Sequence, residues 1–162
     1  MGMKILIVYD SRTGNTEKMA HAVAEGVRGE GVEVEVRRVD EASVDALPGV
    51  DGLIIGSPVY YGQPSSKIKR FLDESVKYHG KLEGKVGGAF ASSGGNHSGG
   101  ETTIISILEA LLIHGMVIQG TSGRNHYGPV SVGAPGEEEV KTCKLFGARV
   151  ARLAKLLHKA ER

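Results

Sequence analysis

The chain has 162 residues, with 20 basic and 19 acidic side chains and a formal charge of +1, so it reads as one domain (1–162) with a layered core. That balance excludes a surface built for nucleic acid or an anionic membrane. One cysteine excludes an internal disulfide, no apolar run approaches the roughly 20 residues of a membrane span, and the N-terminus enters the fold at once, so a soluble, cytoplasmic protein is expected.

The first strand, Ile5–Tyr9, is continuously apolar and too short for a helix, the pattern of a strand buried on both faces of a parallel sheet. It runs into Ser11-Arg12-Thr13-Gly14-Asn15-Thr16, and Met19, Ala20, Val23, Ala24 and Val27 then mark a helix from Asn15 to Arg28. Val32–Val39 alternates apolar and charged residues, which fits a strand near an edge. Gly52–Gly56 is a third strand, buried on both faces. A helix over Ser65–Lys77 turns Ile68, Phe71, Leu72 and Val76 inward and its basic residues outward. Lys85–Ala91 is the fourth strand, Glu101–His114 a helix, and Met116–Gln119 the last strand. Thr121–Gly136 reads as a long loop and Glu137–Lys159 as an amphipathic helix. On that helix Cys143 recurs with Val140, Phe146 and Val150, as a packed core thiol would. Five strands alternating with helices predict a doubly wound α/β three-layer sandwich with a five-stranded parallel sheet, whose order is taken as 2-1-3-4-5. A ligand then lies where strands 1 and 3 diverge, at their carboxyl ends.

Three loops converge there. In the first, unpaired amides at a helix N-terminus favour an anion, and the hydroxyls of Ser11, Thr13 and Thr16 add donors; no metal is required. The competing reading is that Asn15 or Thr16 merely caps the helix. A P-loop is excluded because no lysine follows the glycine, and the three glycines of a dinucleotide fingerprint are missing. Asp40, at the end of the second strand, keeps a ribose-binding acid as a minor alternative. The second loop, Ser57–Pro64, holds Pro58, Val59, Tyr60, Tyr61 and Gly62. The third, Ser92–Gly100, holds Ser92, Ser93, Gly94, Gly95, Asn96, His97, Ser98 and Gly99. A phosphate site, flat aromatic surface and a row of free amides together describe flavin mononucleotide, FMN. Tyr60, Tyr61, Tyr78 and Tyr127 all fall outside the expected strands.

The Ser11–Thr16 turn resembles the phosphate loop of flavodoxins. The segments GSPVYYGQPSSKIKRFLD and SSGGNHSGGETTIISILEALLIHGMVI are similar to the flavodoxin-like NAD(P)H:quinone oxidoreductases of the tryptophan repressor-binding protein A (WrbA) type. The resemblance covers nearly the whole chain. It implies FMN on the three loops, NADH or NADPH as electron donor, a small-molecule quinone as acceptor, and a homo-oligomer, dimer or tetramer. By position it implies phosphate on Ser11–Thr16, the ring on Val59–Tyr61, and Gly94–Gly99 on the pyrimidine side. His114 would reach the flavin from a neighbouring region or subunit.

The 57–64 and 92–100 loops contain no Asp or Glu, and His97 with the glycine amides favours negative charge at the ring, hence two-electron chemistry. His97, His114 and Tyr127 are candidates to protonate or hydrogen-bond a quinone oxygen. The plain readings are a loop residue for His97, a helix C-terminal group for His114 and a loop anchor for Tyr127. A flavodoxin-type one-electron carrier is the alternative function, and a scaffold holding FMN structurally is a third.

Overall fold

The computed structural model describes residues 2–160. β1 (Lys4–Tyr9), β2 (Glu33–Arg38), β3 (Gly52–Tyr60), β5 (Val86–Ser93) and β6 (Val117–Ile118) form a parallel sheet in the spatial order β2-β1-β3-β5-β6. Renumbered over these five strands, the order is the expected 2-1-3-4-5. β4 (Gln63–Pro64) pairs antiparallel with β3, and β7 (Val130–Val132) pairs parallel with the end of β5.

Two apolar layers enclose the sheet. Ile5, Ile7 and Tyr9 face α1 (Asn15–Gly29) and α4 (Glu137–Ala160), while Leu6 and Val8 face α2 (Ser66–Glu74) and α3 (Gly100–Ile113). Alternation along a strand with period two makes this division unavoidable once both faces are covered. β2 is an edge strand, half exposed as its alternation requires, and Lys4 on β1 ties it down through Glu35 at 2.6 Å. Cys143 is buried in the α1/α4 layer, and burial, with the charge of Glu139, pushes its thiol up to about 12. No helix among the described residues is long and apolar enough to cross a membrane.

Four expectations are corrected. β3 runs on to Tyr60, which therefore lies in a strand. The helix begun at Ser66 ends at Glu74 and tightens into a 3₁₀ turn over Ser75–Tyr78, which swings Val76 out to 70% exposure. The last parallel strand shrinks to two residues, and the 121–136 segment is not structureless, because β7 extends the sheet beside β5. Its three residues gain stability only from that distant partner, so local pattern does not announce them.

Candidate functional site

The switch point falls between β1 and β3. From β1 the chain crosses to β2 through α1 on one face, and from β3 it crosses to β5 and β6 through α2 and α3 on the other. The carboxyl ends of β1, β3 and β5 open into the three loops.

In the first loop Ser11 is buried, and its hydroxyl oxygen accepts from the amides of Gly14 (3.1 Å) and Glu17 (3.3 Å). Ser11 thus performs the bracing that the sequence reading left to Asn15 or Thr16. The N-cap of α1 is Gly14, left-handed at φ 94°, with no side-chain cap, so nothing competes with a ligand for the amides of Asn15 and Thr16. With both acceptor positions used, the Ser11 hydroxyl proton is left to donate. Thr16 is also buried, and its hydroxyl meets that of Ser92 at 2.7 Å. This contact locks the first loop to the third and leaves one of the two protons for a further acceptor. Arg12 and Thr13 are exposed at the rim and Asn15 is half-buried.

The second loop is a tight hairpin between β3 and β4. Tyr61 and Gly62 both have positive φ, 49° and 73°, the geometry of a type I′ turn. A tyrosine in the left-handed region is held there at a cost of about 1–2 kcal/mol. Its ring is fully exposed at the tip, and Tyr60 is 40% exposed beside it; Pro58, Val59 and Gly62 are half-buried. The Ser65 hydroxyl oxygen caps α2 by accepting from the amide of Ile68, and the Ser65 amide donates to the Ser57 hydroxyl oxygen. Unlike α1, this helix offers no open N-terminus.

In the third loop Ser92 and Ser93 are buried at the strand end, and Gly95 accepts from the hydroxyls of Ser93 (3.0 Å) and Ser98 (2.6 Å). Gly94, Asn96, His97 and Ser98 are exposed and Gly99 is half-buried, with His97 at φ 56°. Gly99 is the left-handed N-cap of α3 (φ 108°), again with no side-chain cap. The single hydroxyl proton of Thr102 is shared between the carbonyls of Gly62 (2.8 Å) and Gly99 (3.1 Å), tying the hairpin tip to the third loop.

Two residues outside the expected set belong to this construction. Arg38 stands opposite Tyr9 in the β1–β2 register, and its guanidinium donates to the Ser11 carbonyl while lying 3.5 Å from Glu17. The signal was available, since a parallel neighbour ending level with β1 must reach the loop that β1 feeds. Thr102 gave no such signal, because its role depends on a contact between separate loops.

His114 is placed differently. α3 starts at the carboxyl end of β5 and runs back, so its last turn lies on the order of 20 Å away at the opposite end of the sheet. There Gly115 is bonded to the amide of Gly84 just before β5. The neighbouring-region route from His114 to a flavin in the same chain is therefore closed. The ring is 7% exposed, with Nε2 2.7 Å from the Ser75 hydroxyl and His79 at 6.0 Å. Burial, reinforced by His79, lowers its pKa below the ordinary 6.5. The unfolded chain then takes up this proton first, so the stability His114 confers is complete above about pH 6.5 and is lost as pH falls through its folded value. Urea midpoints measured from pH 8 to pH 5 are expected to decline below 6.5, and H114N to flatten that decline; an equal slope in both proteins refutes the assignment. Tyr127 is half exposed on the 121–129 segment.

Two helix N-termini without side-chain caps, hydroxyls held ready to donate, and an exposed aromatic hairpin define a mononucleotide-type site on a flavodoxin-like α/β fold. The flavodoxin domain model matches residues 6–111. A flavodoxin of Aquifex aeolicus is 44% identical over 157 residues, covering 91% of this chain and 85% of its own. An NAD(P)H dehydrogenase (quinone) of Archaeoglobus fulgidus is 36% identical over 188 residues, covering 95% and 98%. Among solved structures, a WrbA-like flavodoxin from Agrobacterium tumefaciens superposes with a TM-score of 0.82 at 30% identity, covering 95% of this chain and 98% of its own. The chain belongs to the flavodoxin family and is a flavodoxin-like FMN protein.

Proposed function

We propose that this chain holds FMN across the three loops and works as a two-electron NAD(P)H:quinone oxidoreductase in the cytoplasm. The phosphate fits the first loop, where the amides of Asn15 and Thr16 are uncapped and the Ser11 and Thr16 hydroxyls can donate. Tyr60 and Tyr61 offer flat surface to the ring, and Gly94 to Gly99 offer amides to its polar edge. Bound FMN supplies the hydride chemistry between nicotinamide and quinone, and the chain supplies position.

The observation that carries the two-electron reading is electrostatic. No carboxylate lies in the 57–64 or 92–100 loops, and the open N-terminus of α3 points its dipole at the same place. Both favour extra negative charge at the ring, which draws the second electron close behind the first. His97, exposed in the third loop, is positioned to meet a quinone oxygen from solvent. His114 is left with one route to a flavin, from a neighbouring subunit of a homo-oligomer. The exposed apolar side chains of Val76, Leu112, Ile113 and Val117 near that end of the sheet support such an assembly.

The second reading, a one-electron carrier, is favoured by the 44% identical relative named flavodoxin. One anaerobic experiment separates the two. FMN-loaded protein is mixed with NADH or NADPH, then with a benzoquinone, while potentiometry follows the visible spectrum. Bleaching by the nicotinamide, recovery with quinone and a single two-electron wave are expected. No bleaching together with two well-separated one-electron waves assigns the carrier role.

A further inference from the structure

We propose that the chain has a second anion site, built from residues other than those of the three flavin loops, that takes the phosphate monoester of a small molecule or of a nucleotide. It lies where the segment after β6 crosses the exposed face of α4 and encloses a cavity of about 280 Å³. None of the residues 11–16, 57–64 or 92–100 lines it.

The segment is preformed. Thr121 and His126 close it into a small ring, with the Thr121 amide donating to the His126 carbonyl (3.2 Å) and His126 Nδ1 2.8 Å from the Thr121 carbonyl. Asn125 adopts the left-handed region at φ 58°, which turns the chain within that ring and sets Arg124 on the cavity wall. Lys141 and Arg149 reach the same cavity from α4.

The electrostatics single this place out. Elsewhere Lys67, Lys69, Lys77, Lys144 and Arg152 each have a carboxylate within 4.0 Å, and among the described residues that lack one Arg12, Arg28 and Lys81 stand on separate elements, whereas here three cations line one cavity. Among the described residues Arg124, Lys141 and Arg149 have none. Arg149 is the informative one. Its guanidinium lies over the Phe146 ring at 5.4 Å, and its Nε is buried without a hydrogen-bond partner among the described residues. Burial pulls its pKa below the ordinary value, yet an arginine keeps its proton, so a half-buried guanidinium carries its charge with no carboxylate beside it among the described residues. An oxyanion entering the cavity can pair with the terminal guanidinium nitrogens, and the planar fork of donors suits phosphate or carboxylate oxygens.

Charge selects between those two. Three cations face one acid, Glu138, which leaves a surplus of two positive charges. A phosphate monoester is close to a dianion at neutral pH and matches that surplus; a carboxylate brings half as much. Glu138 itself can accept from a hydroxyl on the carbon skeleton. The cavity is below the size of a whole dinucleotide pocket, so the ligand is either a sugar phosphate held entire or the phosphate branch of a larger molecule. On the reductase reading above, that branch is the ribose phosphate that distinguishes NADPH from NADH.

The test uses protein saturated with FMN, so that the first loop is already filled. Calorimetric titration with ribose 5-phosphate is expected to show one site, weakened about 10- to 100-fold by Arg149→Gln and by Arg124→Gln, with FMN content unchanged. Steady-state assays distinguish the sources. If Arg124→Gln raises the KM for NADPH and leaves that for NADH alone, the site holds the nucleotide's phosphate. If it changes neither KM but abolishes sugar phosphate binding, the ligand is a free metabolite. Absence of binding at millimolar ribose 5-phosphate, or equal affinity in both variants and the parent, overturns the proposal. Arg124 is exposed on a loop, so its variant decides the matter even if Arg149→Gln fails to fold, and the calorimetric arm stands whether or not the protein oxidises NADPH.

Discussion

Gly99→Ala is expected to lower FMN affinity by about 100-fold or more while leaving the helices and sheet folded. A Cβ at this position would lie 2.5 Å from the Gly62 Cα and 3.1 Å from the Thr102 hydroxyl oxygen, in a residue at φ 108°. The left-handed backbone costs an alanine about 1–2 kcal/mol and the overpacking about 1–3 more. The chain can relieve both only by parting the hairpin tip from the third loop. That movement breaks the Thr102 bridge between the Gly62 and Gly99 carbonyls and displaces the uncapped first turn of α3. Gly49→Ala is the control, because it lies outside the three loops, its Cβ meets nothing within 4 Å and its φ is not positive. Quenching of flavin fluorescence on titration into the apoprotein reads the affinity, and circular dichroism checks the fold. An affinity for G99A within about threefold of the parent, the range of a neutral surface change, refutes the argument.

The strands buried on both faces were the most legible part of the chain. Ile5–Tyr9 and Gly52–Gly56 carry short runs of branched apolar residues, and their alternation with helices pointed to a doubly wound parallel sheet, whose order the strand pairing then shows. The hairpin was less visible, because a Tyr-Gly pair is an unusual type I′ turn, and the pairing of Tyr60 with Gln63 and of Val59 with Pro64 makes it one. β7 and the 3₁₀ turn at Ser75 were hidden for a related reason. Each is stabilised by a partner far away in sequence, Ser93 for Val132 and His114 for Ser75. At the site, residue types placed the anion-binding loop, but not which hydroxyl braces it. Ser11 serves that end because the turn folds back over it, and the geometry of such a turn is set by its glycine and by Arg38 from the next strand.

Two glycines inside helices have a role that only the packing of α1 on α4 reveals. An added Cβ at Gly147 would fall on the Val23 carbonyl oxygen, and one at Gly26 on the Lys144 carbonyl oxygen. The two helices thus approach closely enough for backbone to meet backbone, with each glycine opening space for the other helix. Glycine costs a helix about 1 kcal/mol relative to alanine, so propensity alone predicts that Gly147→Ala stabilises the protein. Close packing predicts the reverse, because a carbonyl oxygen cannot rotate away as a side chain does. Relief requires the helices to separate and the Cys143, Phe146 and Val150 layer to loosen against β5. The overpacking cost lies at or above the top of the usual range of about 1–3 kcal/mol because backbone cannot give way, and after the gain in propensity a net loss of about 1–2 kcal/mol is expected, a fall in Tm of roughly 2–8 °C for a chain of this size. Gly26→Ala should do the same, and the double variant should cost much less than the two losses added, since the first substitution has already opened the gap the second needs. Thermal and urea unfolding of the three variants against the parent measure this. Unchanged or raised stability in G147A, or strict additivity in the double variant, removes the close helix contact as the reason for these glycines.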